Sequence, residues 1–231
     1  MKFGLGLTRF LYERWFRVVH VGIEHVPTEG RAVLACNHSG TLPFDALMVW
    51  ADLVRHARRV PRPVMDYFVQ QLPFVSTIFT RAGGIGGSRG NMHAVLEGEE
   101  LVLVFPEGVV GIGKRFADRY QLQRWTVGHA EMAIRHRAPV VPAAVVGAEE
   151  QLPQVARIPI SLFGSPYIPV TGSPLPLPVR YHIRYGPPLV LHERWPDADD
   201  PDAVAAAAAH TGEAVQGLID AGLEARTGVF R

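Results

Sequence analysis

Five short runs with strand character recur along the chain, and segments with helical spacing separate them. They cover residues 31–36, 63–66, 101–105, 139–146 and 179–185. Apolar runs of this length are typical of strands buried on both faces, and the last run alternates as a strand with one buried face does. Strands that alternate with helices predict mainly parallel pairing. The sequence therefore predicts an α/β fold, a mostly parallel sheet covered by helices.

The first run leads directly into a polar block and then into a helix. Residues 31–36 are followed by Asn-His-Ser-Gly over 37–40, and Thr41 and Pro43 then have the chemistry of a helix start. Apolar residues at helical spacing follow, which predicts a helix over 44–57 that packs one face onto the sheet. The polar block should therefore lie in a loop between a buried strand and a helix.

His38 and Asp45 in this block form a candidate acid–base pair. A carboxylate in the first turn of a helix is stabilised by the free N–H groups there, and a nearby imidazole can donate a ring N–H to it. Such a bond would set the tautomer and stabilise the imidazolium after the other nitrogen accepts a proton from a hydroxyl or thiol. Taken alone, the two residues favour a simpler interpretation, a loop histidine and an unrelated first-turn acid.

A second strand end changes that balance. The run over 101–105 ends in Pro-Glu-Gly over 106–108, and ligand sites of α/β sheets gather at strand ends. The Asn-His…Asp block and the Phe-Pro-Glu-Gly block together resemble the glycerolipid acyltransferase family, the lysophosphatidic acid acyltransferase-like (1-acylglycerol-3-phosphate O-acyltransferase-like) enzymes. The blocks stand in the family's order, and a looser resemblance extends over 25–188. Six residues separate His38 from Asp45, where the common family pattern has fewer.

The resemblance implies a fold, an activity and a mechanism. The fold is glycerol-3-phosphate acyltransferase-like, and the activity is O-acyl transfer in phospholipid biosynthesis. An acyl thioester, either acyl-CoA or acyl-ACP (acyl carrier protein), donates the acyl group to a hydroxyl of a lysophospholipid or related glycerol lipid. His38 would deprotonate that hydroxyl and Asp45 would orient His38, so no acyl-enzyme is implied.

The resemblance also implies acceptor-binding residues. The family's second block, a glycine followed by apolar residues and an arginine, falls on Gly83 and Arg89, so Arg89 is expected to hold the acceptor's phosphate, with Arg81 as the alternative. Roles in binding the acceptor's glycerol hydroxyl and phosphate fall on Glu107 and Gly108. Without the first block, Glu107 is better interpreted as a solvated turn acid.

Composition limits the partners. A formal net charge of +1 gives no general attraction to nucleic acid, so none is expected as a partner. The ten histidines show no tight pairing with acids or cysteine along the sequence, so we expect no metal and no other cofactor, with acyl-CoA or acyl-ACP as co-substrate. The expected partners are the acyl thioester donor, the lysophospholipid or glycerol-lipid acceptor and a membrane surface.

A single acyltransferase domain over 1–231 is expected, because a chain of this length can bury one substantial core. Residues 1–20 interleave aromatic and apolar residues with arginines, which predicts an amphipathic helix that lies in a membrane interface, packs on the core, or does both. The chain has no unbroken apolar run of spanning length, no signal-peptide pattern and a single cysteine, Cys36. We therefore expect a cytoplasmic protein that is peripherally associated with the membrane.

Several alternatives stay open. The basic run over 55–62 is a solvated helix end or a contact for phosphates. The run over 151–178 is too rich in proline for regular secondary structure, and it packs on the domain or forms an acyl-chain entrance at the bilayer. A lipid hydrolase is disfavoured, because the chain has no Gly-x-Ser-x-Gly elbow and Ser39 is poorly placed beside His38. A non-catalytic lipid-binding relative is the more serious alternative.

Overall fold

The computed structural model describes residues 2–39, 42–66, 75–160 and 167–231. The strands within these ranges are β1 (Val19–Val21), β2 (Ala32–Cys36), β3 (Arg62–Met65), β4 (Ile85–Gly86), β5 (Leu101–Val104), β6 (Val140–Val146), β7 (Gln154–Ile158), β8 (Ile168–Thr171) and β9 (His182–Tyr185). The α-helices are α1 (Lys2–Phe10), α2 (Phe44–Asp52), α3 (Val75–Arg81), α4 (Arg89–Glu97), α5 (Gly108–Ile112), α6 (Gly128–Arg135), α7 (Ala148–Gln151), α8 (Leu191–Arg194) and α9 (Pro201–Ala225).

Seven strands form one sheet in the order β1–β9–β6–β2–β5–β3–β4. The five strands from β6 to β4 are parallel to one another, whereas β9 runs antiparallel to β6 and β1 runs parallel to β9. The predicted mostly parallel α/β sheet is therefore confirmed. Because β2 lies between β6 and β5, the polar block that follows β2 emerges at the centre of the sheet.

Helices cover both faces of β2, which explains its uninterrupted apolar sequence. Leu34 and Cys36 point into a cluster that includes the apolar face of α2. Val33 and Ala35 point into a second cluster, formed with side chains of α4, α6 and α9. All four residues are fully buried, so each face of the strand contributes to a core.

The helix predicted after the polar block is present, and the structure also has a long alanine-rich helix near the C-terminus. α2 begins at Phe44, and a π-helical turn over Leu53–Ala57 continues it to the predicted end. α9 begins after Asp200, whose side chain accepts a hydrogen bond from the backbone N–H of Asp202 and so caps the helix. Gly40 and Thr41 lie outside the described residues, so the predicted cap by Thr41 stays a prediction.

The absence of regular structure predicted over 151–178 is wrong. β7 and β8 form a separate two-stranded antiparallel sheet, with Pro169 of β8 opposite Arg157 of β7. A two-stranded ribbon consists only of edge strands, where a residue without an N–H group is tolerated on the unpaired side. Proline content therefore excluded a central strand but not this hairpin-like pair. Residues 161–166, which connect the two strands, lie outside the described range.

The basic run over 55–62 is held by partners within the protein. Arg59 is buried and donates to backbone carbonyls that include that of Pro27. Arg55 forms an ion pair with Glu13, and Arg62 forms one with Glu100. These contacts disfavour phosphate binding by the run, and the burial of Arg59 means that the run is not simply a solvated helix end either.

The N-terminal segment uses one side for the core and leaves apolar side chains on its surface. The helix is shorter than the predicted 1–20 range: a π-helical turn over Leu11–Trp15 ends it, and β1 follows. Tyr12 and Phe16 are buried in the main core, whereas Leu7 and Phe10 are about half exposed. Within the described residues, no helix is both long and apolar enough to span a bilayer.

Candidate active site

Three adjacent parallel strands end at the same edge of the sheet and deliver the polar residues of the candidate site. β2 leads into Asn37, His38 and Ser39, β5 leads towards Glu107, and β6 leads into α7, which carries Glu149. Because β2 lies between β5 and β6, residues far apart in the sequence meet beside His38. This is the edge at which α/β sheets commonly bind ligands.

His38 and Asp45 are in direct contact. The Nδ1 atom of His38 lies 2.7 Å from Oδ2 of Asp45, and the Asp45 carboxylate is fully buried. The same Oδ2 accepts the backbone N–H of Ser39 at 2.8 Å, and Oδ1 accepts that of Ala46 at 2.7 Å. The imidazole lies beside the Phe105 ring, with 4.5 Å between centroids, and 11% of its side chain is exposed. The six intervening residues thus leave the two side chains hydrogen-bonded.

Asn37 anchors the base of the loop that carries His38. Its side-chain Nδ2 donates to the carbonyl of Val145 at 3.1 Å, and its Oδ1 accepts the N–H of Val145 at 2.8 Å. The amide therefore imitates a strand residue and extends the pairing of β2 with β6. We did not predict this role from the sequence, although an asparagine at the end of a buried strand is a signal for it.

Glu107 uses both carboxylate oxygens inside the protein. Oε1 accepts the backbone N–H of His38 at 3.0 Å, and Oε2 accepts that of Gln123 at 2.8 Å. The Nζ atom of Lys114 lies 3.3 Å from the same Oε2, and the Glu107 side chain is fully buried. Glu107 is thus a buried residue and not the solvated acid of the simpler interpretation. Its predicted contact with the acceptor stays a prediction.

Gly108 follows Glu107 and begins α5. Its φ angle is +54°, in the left-handed region that favours glycine. A Cβ atom at this position would lie 3.6 Å from Oδ2 of Asp66, which is ordinary contact, so conformation and not space accounts for the glycine here. The geometry brings Gly108 to the same edge of the sheet as His38.

Arg89 lies farther along that edge. It is the first residue of α4, its side chain is 71% exposed, and its Nε atom lies 2.8 Å from Oε2 of Glu131. β4, which ends just before it, is three strands from β2, or about 14 Å at the usual strand spacing. Arg81, the alternative phosphate contact, is exposed at the end of α3. The structure therefore brings together His38, Asp45 and Glu107, and places Arg89 at the periphery.

Burial dominates the electrostatics near the loop. It raises the pKa of the Cys36 thiol well above its ordinary value, and the neighbouring Asp45 and Glu107 raise that pKa further. Cys36 is therefore a protonated core residue rather than a nucleophile. Burial also raises the pKa of Glu149, against the opposing effect of the Lys114 ammonium.

Ser39 is not arranged as a nucleophile activated by His38. Its Oγ is buried and makes no hydrogen bond to any residue that the structure describes. Its backbone N–H instead supports the Asp45 carboxylate. This arrangement disfavours the hydrolase alternative that uses a serine.

Histidines and acids meet in space in two groups of three residues within the described ranges, and each group joins a pair four residues apart in the sequence to one distant histidine. In each group the potential ligand atoms lie within 4.8 Å of one another, and the groups are His20, Asp52 and His56, and His93, Glu97 and His136. The buried Asp52 already accepts hydrogen bonds from the hydroxyls of Tyr12 and Tyr185 and contacts His20. The expected absence of a metal cofactor stays a prediction.

Comparison with known proteins supplies the family. The sequence model of the family described as Acyltransferase matches residues 17–146. An uncharacterized protein of Mycobacterium tuberculosis is 38% identical over 209 residues, which cover 84% of this chain and 58% of that protein. An uncharacterized protein of Mycobacterium leprae is 39% identical over 209 residues, covering 84% and 56%. The chain thus spans less than two thirds of the length of these relatives.

A solved structure shares the fold. The 1-acyl-sn-glycerophosphate (LPA) acyltransferase PlsC from Thermotoga maritima matches with a TM-score of 0.62 and 17% identity, over 98% of this chain and 79% of that one. The fold predicted from the resemblance is therefore confirmed. As the Asn-His…Asp and Phe-Pro-Glu-Gly blocks predict, and as the family match over more than half of its length shows, this chain belongs to the glycerolipid acyltransferase family.

Proposed function

We propose that the chain is an O-acyltransferase that moves a fatty acyl group from an acyl thioester to a hydroxyl of a lysophospholipid or related glycerol lipid. Family membership and a fold like that of an LPA acyltransferase support this class of reaction. The observation that carries the proposal is the buried hydrogen bond of 2.7 Å between His38 Nδ1 and Asp45 Oδ2. It is the arrangement that a general base and its orienting carboxylate require.

The bond assigns a tautomer to His38. An ionised carboxylate only accepts hydrogen bonds, so Nδ1 carries the proton and Nε2 presents a lone pair. Nε2 is therefore the atom that we assign to the acceptor hydroxyl.

The transfer then needs no nucleophile from the protein. The acceptor hydroxyl gives its proton to Nε2 while its oxygen forms a bond to the thioester carbonyl carbon. The tetrahedral intermediate collapses, the carbon–sulfur bond breaks, and the leaving thiolate takes the proton back from Nε2. Asp45 stabilises the imidazolium between these steps, and a hydrogen bond to a charged group contributes about 1.5–3 kcal/mol. The donor is acyl-CoA or acyl-ACP.

Arg89 is our proposed contact for an acceptor phosphate. Its ion pair with Glu131 is at the surface, where such pairs are weak, and a phosphate offers the guanidinium two oxygens at once. Gly108 and Glu107 complete the proposed acceptor site. Both lie beside the His38 loop at the end of β5.

We further propose that the protein acts as a peripheral membrane protein through its first helix. Leu7 and Phe10 on α1 are about half exposed, and Arg9 lies between them. Exposed apolar side chains beside a basic residue suit the interface of an anionic bilayer. Flotation with vesicles of anionic and of neutral phospholipid tests this, and Phe10→Glu should release the protein from the anionic vesicles.

The deciding experiment is transfer of labelled acyl groups from acyl-CoA and from acyl-ACP to a panel of lysophospholipids and simple alcohols. His38→Ala and Asp45→Asn should lose turnover by about a hundredfold or more while remaining folded. His210→Ala on α9 is the matched histidine control and should retain wild-type turnover. Release of free fatty acid without transfer would support the hydrolase. Lipid binding without turnover of either donor would support the non-catalytic relative.

A further inference from the structure

Lys114 is an unusual residue in this chain. Of the 23 lysines and arginines, only Lys2 and Lys114 are lysines. The Lys114 side chain is 3% exposed, and its Nζ atom lies 2.9 Å from Oε1 of Glu149 and 3.3 Å from Oε2 of Glu107. The carbonyl oxygen of Gln121 lies 3.3 Å away as a third acceptor. The ammonium thus donates hydrogen bonds to Glu149 and Gln121 and forms an ion pair with Glu107.

The contacts of Lys114 complete a network of hydrogen bonds and ion pairs that joins three neighbouring strand ends. Glu107, after β5, holds the backbone N–H of His38, after β2. Lys114 joins Glu107 to Glu149, which lies on α7 directly after β6. Asn37 joins the end of β2 to β6. The backbone of His38 is therefore fixed from both neighbouring strands.

The same ammonium compensates two buried carboxylates. Glu107 and Glu149 have side chains that are 0% and 5% exposed, and Lys114 is the cation in contact with both. Removing one partner of a buried ion pair leaves an uncompensated charge, and two neighbouring carboxylates without a cation do not both stay ionised. An uncharged residue at position 114 would therefore force a proton onto this pair and weaken Glu107 as an acceptor for His38.

We infer that Lys114 is a positioning residue for acyl transfer: it keeps Glu107 ionised and oriented, so that Glu107 holds the His38 backbone and presents the imidazole to the acceptor. This inference rests on the proposed function for its kinetic consequences. It also gives Glu107 a task beyond the acceptor contact that the family resemblance implies.

The charged and titratable groups around the ammonium come from several elements. They are Glu107 and Glu149 in direct contact, His38, Asp45 and Cys36 on the side of Glu107, and Tyr120, Glu150, Arg119 and Arg226 on the side of Glu149. Arg226 pairs with Glu150 through two hydrogen bonds, of 2.6 and 2.9 Å, so it is committed to another carboxylate. Among the described residues, Lys114 is thus the one cation in direct contact with Glu107.

The first test compares Lys114→Met with the wild type in the acyl-transfer assay across a range of pH. We expect kcat at neutral pH to fall by about a hundredfold, as for a modest displacement of a catalytic group, and KM for the acceptor to rise by a smaller factor, because Glu107 also belongs to the proposed acceptor site. The acidic limb of the kcat profile should move to higher pH, because a carboxylate pair without its cation retains a proton longer. Arg115→Met removes the neighbouring exposed cation as a matched control and should behave as wild type.

A second variant separates positioning from general damage. Lys114→Met/Glu149→Gln removes the ammonium together with the competing carboxylate, so the repulsion between the two carboxylates is gone. Glu107, which still accepts the backbone N–H groups of His38 and Gln123, then ionises more readily than in Lys114→Met. The double variant should recover kcat by about tenfold over Lys114→Met and return the acidic limb towards that of the wild type. A double variant that is slower than Lys114→Met would overturn the inference. So would a folded Lys114→Met with wild-type kcat and pH profile.

A third measurement needs no substrate. Hydrogen exchange of the His38 amide should accelerate by about tenfold or more in Lys114→Met, while the amides of β2 exchange as in the wild type. Unchanged exchange of the His38 amide would contradict the inference that Lys114 helps to hold the His38 backbone, whatever the activity of the variant. Wild-type protein that transfers no acyl group would reject the proposed function instead, so the two failures are distinguishable.

Discussion

Asn37 and Val145 are joined by two hydrogen bonds in which a side-chain amide replaces a strand residue. The backbone pairing of β2 with β6 reaches Cys36, opposite Ala143, and Asn37 continues it by one further step. His38 follows immediately and therefore leaves the sheet from an anchored position. The asparagine of the Asn-His block thus has a mechanical role next to the chemical role proposed for the histidine.

Asn37→Ala should destabilise the fold and slow the reaction together. The substitution leaves the buried N–H and C=O groups of Val145 without partners, at a cost of about 1–3 kcal/mol for each group. Chemical denaturation measures the free energy of unfolding, and the acyl-transfer assay measures kcat. Asn91→Ala, which alters an exposed asparagine on α4, is the control. Wild-type stability in Asn37→Ala would contradict the anchoring role.

Tyr185→Phe should affect stability alone. The Tyr185 hydroxyl donates to Oδ2 of the buried Asp52 at 2.7 Å, at the end of α2 opposite to Asp45. Losing a buried hydrogen bond to a charged group costs about 1.5–3 kcal/mol. Thermal unfolding and kcat/KM, measured on the same preparation, should show a lower Tm and unchanged kinetics. A loss of kcat/KM in the folded variant would show that this end of α2 acts on the reaction.

Arg89→Gln should weaken binding of acceptors that carry a phosphate. A charge-assisted contact of about 1.5–3 kcal/mol corresponds to a rise in KM of about ten- to a hundredfold. Acceptors without a phosphate should show little change, which makes them the internal control. Arg81→Gln should leave both kinds of acceptor unaffected. The opposite pattern, with the phosphate dependence lost only in Arg81→Gln, would assign the phosphate contact to Arg81.

Leu34→Ala should be strongly destabilising, because Leu34 is fully buried at the centre of the sheet. Truncation of a buried leucine costs about 2–5 kcal/mol, since apolar contacts are lost and a cavity remains. Leu175→Ala, at a side chain that is 70% exposed, should change the free energy of unfolding by about 0.5 kcal/mol or less. Urea denaturation of the two variants compares these values. Equal effects would show that the assignment of the core is wrong.

His129 should make the protein sensitive to acid. Burial lowers the pKa of His129 to about 4, whereas an unfolded histidine has a pKa of 6.5, so the unfolded chain binds the proton more readily. The contribution of this residue is complete above the unfolded value and is lost as the pH falls towards 4. The full loss is about 3 kcal/mol. His129→Phe should show a smaller decrease in unfolding free energy between pH 6.5 and 4 than the wild type, and an equal decrease would contradict this assignment.

Much of the architecture follows from local patterns. The run over 31–36 is apolar on both faces because helices cover both faces of β2, and the spacing of apolar residues from Phe44 onwards is that of the helix observed there. Side-chain periodicity depends on a few neighbouring residues, so these elements are readable from the sequence. The Asn-His…Asp and Phe-Pro-Glu-Gly blocks, which also are local, were sufficient to predict the family and the pairing partners His38 and Asp45.

Other features depend on which strands are neighbours. The antiparallel direction of β9, the buried position of Glu107 and the ammonium of Lys114 between two carboxylates have no local signature, apart from the scarcity of lysine. Glu107 meets His38 across 69 positions because β5 lies beside β2, and Glu149 meets Lys114 because β6 lies on the other side. The sequence by itself determined the central strands of the sheet, the helix after β2 and the catalytic candidates. Only the tertiary structure decided how the loop of His38 is held, because contacts between strand ends arise from the order of strands in the sheet.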